Sequence, residues 1–134
     1  MIGLGVDVRK ALLCMILAAC VIPAHASNWM QVTAGGDGVE YLDSQSIVKS
    51  GGRVKVWTKY VFKQPHFVGE ETKLTAYEVT HLEYDCKERT VWSSSSTRYD
   101  DEGSVIRSID GIPSMRTDVV PDSIGETVLN AVCR

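Results

Sequence analysis

The chain has 134 residues, 44% of them apolar and 23% charged, with a formal net charge of -3. Those values exclude a disordered polypeptide and leave room for one domain rather than two. They also exclude nucleic acid as a partner held by overall charge, so any cationic binding surface has to be local.

The first 26 residues read as an export leader. Arg9 and Lys10 precede an apolar run from Ala11 to Ile22, Pro23 ends it, and Ala24-His25-Ala26 offers the small residues a signal peptidase requires. The run is too short to span a bilayer, and no later stretch approaches twenty apolar residues, so no transmembrane segment is expected. The expected cut lies between Ala26 and Ser27, leaving 27–134 as a mature domain in the periplasm. The alternative is "LAAC" (Leu17 to Cys20), a lipoprotein pattern in which Cys20 would be acylated and anchored in the outer membrane. Apolar "VIPAHA" follows that cysteine where a lipoprotein has a polar tether, which favours the cut after Ala26.

From Asn28 to Val120 the chain reads as strand and turn. "NWMQV" and "GVEYL" are short strands, and Asp43 caps a turn or single helical turn reaching Ile47. "SGG" (Ser50 to Gly52) turns the chain into Arg53 to Phe62, which alternates: Val54, Val56, Thr58, Tyr60 and Phe62 share one face. Lys63 to Lys73 is the longest polar connection and reads as a loop. Ala76 to Cys86 is a long strand whose apolar register changes near Thr80, the sign of a bulge. A turn at Lys87 to Arg89, the strand "TVWSSSSTRY", the turn "DDEGS" and the strand "VIRSI" follow. Strands joined by short turns form an antiparallel sheet, here of about six strands.

The chain ends in a short helix. Ser123 and Glu126 have capping-box spacing, and Ile124, Val128, Ala131 and Val132 recur at three and four residues to make one apolar face. One antiparallel sheet with a terminal helix packed on it is an α+β layer pair.

Export decides the cysteines. Cys14 is lost with the leader and Cys20 is lost or acylated, so Cys86 and Cys133 remain as an even pair in an oxidising compartment, most simply a disulfide. Their separation is not that of a C-x-x-C redox motif, and with His66 and His81 they match no zinc finger or ribbon. No metal or other cofactor is expected.

Catalysis has residue types but no frame: His81, Asp85 and Ser93 to Ser96 include a triad's members, without a nucleophile elbow to place them. Asp100 to Gly103 lacks the alternating ligand spacing of a calcium loop and reads as a charged turn. Opposite the valine face of the long strand, Arg53, Lys55, Trp57, Lys59 and Lys63 set a row of bases around an indole. Such a row fits an acidic protein segment, a sulfated glycan or a lipid headgroup. The same pattern also arises if Trp57 packs beneath a neighbouring element while the lysine stems point outward.

Three blocks of the sequence, "VEYLDSQSIVKSGGRVKVWTKYV", "LEYDCKERTVWSSSSTRYD" and "VVPDSIGETVLNAVC", resemble successive blocks of the surface-adhesin protein E family of Gram-negative bacteria. The resemblance implies an antiparallel sheet bridged to a C-terminal helix by a disulfide. It further implies a non-enzymatic envelope protein that binds a protein or glycan partner, as the adhesin of the family binds host extracellular matrix, and that can form a homodimer. A periplasmic structural or accessory domain with no host ligand is the other reading.

Overall fold

A computed structural model describes residues 26–134; the leader, with Cys14 and Cys20, lies outside the described residues apart from Ala26. The strands are β1 (Trp29–Gly35), β2 (Gly38–Asp43), β3 (Val48–Ser50), β4 (Arg53–His66), β5 (Thr75–Asp85), β6 (Thr90–Tyr99), β7 (Val105–Asp110) and β8 (Thr117–Asp118), followed by a helix, α1 (Ile124–Val132). They form one antiparallel sheet in the order β1-β2-β4-β5-β6-β7, with β3 also on β4 and β8 also on β6. The expected α+β pair is therefore present, with two more strands than the alternation reveals. β3 and β8 are three and two residues long, too short to carry a period.

Local chemistry sets the turns. Asp43 caps the 3-10 turn Ser44–Ser46, its Oδ1 accepting from the amides of Gln45 and Asn28 at 3.0 and 2.9 Å. Gly51 and Gly52 are both left-handed, at φ 59° and 79°, as a two-residue hairpin turn requires. In the "DDEG" turn Asp100 spends its Oδ1 on the amides of Glu102 and Ser104, at 3.1 and 2.8 Å.

One expectation is corrected and another is located more finely. The polar run after Phe62 is not all loop: β4 continues to His66, because the Lys63 amide donates to the Asp37 carbonyl at 2.7 Å and His66 pairs with Thr75. The bulge sits one to two residues beyond Thr80, and its extra residue is Ser94 on β6, where the pairing steps from His81↔Ser95 to Leu82↔Ser93.

The core lies between α1 and one face of the sheet: Leu42, Val54, Val56 and Tyr84 against Val128, Leu129 and Val132. The helix face is rotated from the expected one, so that Leu129 is buried and Ile124 is exposed. Ser123 Oγ accepts from the Glu126 amide at 3.2 Å, but the Glu126 carboxylate reaches back to the Asp122 amide, at 2.8 Å, and to Arg89, at 2.6 Å. Ser123→Ala should cost about 1 kcal/mol, read as a lowered urea midpoint; an unchanged midpoint would mean that Arg89 and Glu126 alone hold this end. At the other end of the helix Cys133, its C-cap, is bonded to Cys86, with Cα atoms 5.6 Å apart.

Candidate ligand-binding face

Because α1 covers one face, the alternation of β4 sorts its residues between a buried side and an open one. Val54, Val56 and Thr58 are buried; Arg53, Lys55 and Trp57 are exposed, and Lys59 is half-buried. Trp57 is 37% exposed and points away from the helix side.

Antiparallel register brings the partners. Trp57 lies opposite His81, Lys55 opposite Glu83 and Arg53 opposite Asp85. The Trp57 and His81 rings stack with centroids 4.6 Å apart and planes 23° apart. His81 is held by the bulge: its Nδ1 lies 2.7 Å from Ser94 Oγ, which itself donates to the His81 carbonyl at 3.2 Å. Burial, then the charge of Lys55, push the His81 pKa below its ordinary value, which favours the neutral ring.

Glu83 is the electrostatic centre of this end. Its carboxylate pairs with Arg53 at 3.2 Å and with Arg116, and Lys55 stands at 4.0 Å. Arg53 Nε also faces Asp85 at 3.8 Å. Asp85 is mainly occupied with the turn, accepting from the Glu88 and Lys87 amides at 2.9 and 3.1 Å, and those bonds hold its pKa below the usual range. A cleft of about 220 Å³ lined by Val48, Ser50, Arg53, Lys55 and Glu83 opens beside these groups.

Further along β4 the row divides. Lys59 Nζ sits over the ring of Trp29 at 4.5 Å and near that of Tyr41 at 5.7 Å, a cation held by two aromatics. Lys63 lies roughly 33 Å along the strand from Arg53, and its Nζ donates to the Gly36 carbonyl at 3.0 Å. So the structure brings Arg53, Lys55, Trp57 and Lys59 together and leaves Lys63 with the β1–β2 turn. Sequence reasoning missed Trp29, Tyr41, Glu83 and Arg116. The aromatic content of "NWMQV" and "GVEYL" was a usable signal for the first two; Glu83 and Arg116 join only through strand pairing and chain return.

The catalytic residue types do not assemble. His81 meets Ser94, but Asp85 is four residues further along β5, roughly 13 Å away, and is bonded to its own turn. His66 packs edge-on against Phe62 at the far end of β4. Among the described residues no group of three His, Cys, Asp or Glu side chains could hold a metal ion, and no helix is long and apolar enough to cross a membrane.

The sequence profile of the surface-adhesin protein E family matches residues 29–134. None of the curated proteins matches the chain. Among solved structures, Haemophilus influenzae protein E is similar at a TM-score of 0.57 and 14% identity, over 81% of this chain and 85% of that one. A second crystal form of that protein gives 0.54 and 12%, over 81% and 95%. Protein E from non-typeable Haemophilus influenzae gives 0.56 and 13%, over 81% and 76%. At these identities the likeness is one of fold. The family profile, though, runs from the first residue of β1 through α1, and the chain therefore belongs to the surface-adhesin protein E family.

Proposed function

We propose that this family member is an exported, non-enzymatic binding module of the bacterial envelope that meets an acidic protein or glycan partner through Arg53, Lys55, Trp57 and Lys59. The observation that supports the reading is the one-sidedness of the sheet. α1 packs on one face, while on the other Arg53, Lys55, Lys59 and Arg116 outnumber Glu83 and Asp85 beside an indole still 37% exposed. Neither charge nor a half-open tryptophan is what a core requires, but both are what a partner with acidic groups would engage.

Changing Lys55 and Lys59 together to glutamate should shorten retention on immobilised heparin and on immobilised polyglutamate. The parent's retention should fall as salt rises, because exposed charges are screened over about 8 Å at physiological ionic strength. Neither side chain belongs to the core, so the domain should still fold, less stable by the lost contact of Lys59 with Trp29 and Tyr41. Equal retention of parent and double variant on both matrices would sink the acidic-partner reading.

The reading carries with it a mature N-terminus at Ser27 and no acyl chain, which intact-mass measurement of protein from cells would reveal. A diacylglycerol adduct on Cys20 would replace it with an outer-membrane anchor. Antibody labelling of intact cells then separates a surface adhesin from a periplasmic protein.

A second reading, a periplasmic accessory domain acting as a homodimer, is favoured by β7. It is the last strand in the sheet order and leaves Val105 and Ile109 exposed, an edge suited to pairing with another chain.

A further inference from the structure

We infer that the partner of this face is an acidic sugar, a glycan bearing uronate or sulfate, seated with its ring against Trp57 and its anionic group in the cleft between Arg53 and Lys55. This rests on the reading above and narrows it to one ligand chemistry.

The indole is a fixed plate. His81 stacks on it at 4.6 Å and is itself locked by Ser94, and 37% of Trp57 stays open to solvent. A sugar ring presents a flat array of C–H groups to such a plate and keeps its hydroxyls free for water, so it gains from an aromatic without burying polar groups.

The anion seat lies one sugar length away. Lys55 is two residues from Trp57 on the same side of β4, ~7 Å along the strand. There the cleft of about 220 Å³ offers Ser50, Arg53 and Lys55 around the single carboxylate Glu83. Lys55 Nζ stands 4.0 Å from Glu83, beyond hydrogen-bond reach, and Arg53 gives that carboxylate one bond, from Nη1 at 3.2 Å. Both cations keep donors for a second anion, and a guanidinium can grip a sulfate or carboxylate through two of them. Lys59, pinned over Trp29 and Tyr41, supplies field rather than contact. An acidic peptide would satisfy the cations equally well but would leave the plate unused. Plate and cation seat together, at this spacing, select the sugar.

Titration of the parent with a heparin tetrasaccharide, which carries both uronate and sulfate, and with a hexaglutamate peptide tests the inference by calorimetry and by NMR of the Trp57 indole N–H. The tetrasaccharide should bind the more tightly and move the Trp57 signal. Trp57→Ala should weaken it about tenfold, and Trp57→Phe much less. Lys55→Gln, which leaves the plate intact, should weaken both probes about threefold. If hexaglutamate binds as tightly and Trp57→Phe and Trp57→Ala bind the tetrasaccharide like the parent, the sugar inference is overturned while the acidic-partner reading stands. If neither probe binds the parent, both fail at this face.

Discussion

Replacing Cys86 and Cys133 together by alanine should lower the unfolding free energy by about 4 kcal/mol, and the first part of the molecule to lose amide protection should be α1. The bond joins the residue just beyond β5 to the C-cap of the helix, 47 positions apart. A cross-link of that span removes a large loop-closure entropy from the unfolded chain, and for a domain of this size the loss is a sizeable fraction of the total stability. The order of loss follows from length. Nine helical residues do not persist alone in water, and of them Val128, Leu129 and Val132 alone are fully buried against the sheet. The central strands β2, β4, β5 and β6 have paired neighbours on both sides. Urea unfolding gives the free energy, and hydrogen exchange resolves the amides of Thr127 to Cys133 from those of β4 and β5. A midpoint equal to the parent's would show that packing alone fixes the helix and that the bond is redundant.

What could be read from the sequence was whatever has a period or a local chemical signature. Val54 and Val56 separate from Arg53, Lys55 and Trp57 because a strand repeats every two residues, and Ser123 announces the helix because its hydroxyl serves an amide three positions on. Which side of β4 would be covered has no such signature. The same alternation suits a Trp57 beneath the helix and a Trp57 facing away from it, and the choice is made by where α1 crosses the sheet. Register hid the rest of the site. Glu83 reaches Lys55, and Asp85 reaches Arg53, only because β4 and β5 pair at Trp57↔His81. The Ser94 bulge that holds His81 is carried by β6, invisible from the β5 segment that hinted at it. Polar Lys63 looked like a loop because its sequence is one; its backbone hydrogen bond to Asp37 extends the strand through it.

Glu40→Gln should stabilise the protein at pH 8 by up to about 3 kcal/mol and leave it unchanged at pH 4. Glu40 lies on the helix side of β2, between Leu42 and Gly38 in the alternation, and only 6% of it is exposed. Burial pushes its pKa from an ordinary 4.5 up to about 7; a hydrogen bond with Thr58 offsets part of that, and the charge of Glu78 adds to it. The groups facing it explain why nothing neutralises it. Across the register stand Tyr60 on β4, Glu78 on β5 and Arg98 on β6. Arg98 spends its charge on Glu71 at 2.8 Å and on Glu78 at 3.3 Å. A carboxyl whose folded pKa is raised binds its proton more tightly folded than unfolded. Its contribution is fully present below pH 4.5 and is lost as the pH rises through 7, so this residue makes the parent weaken across that window. Glutamine, isosteric and uncharged, cannot show the loss. Urea unfolding of both proteins at half-unit steps from pH 4 to 8 measures the difference directly: the two curves should meet at the acid end and diverge above pH 5. Parallel curves would mean that Glu40 keeps its proton equilibrium near that of water and that its burial costs the fold nothing.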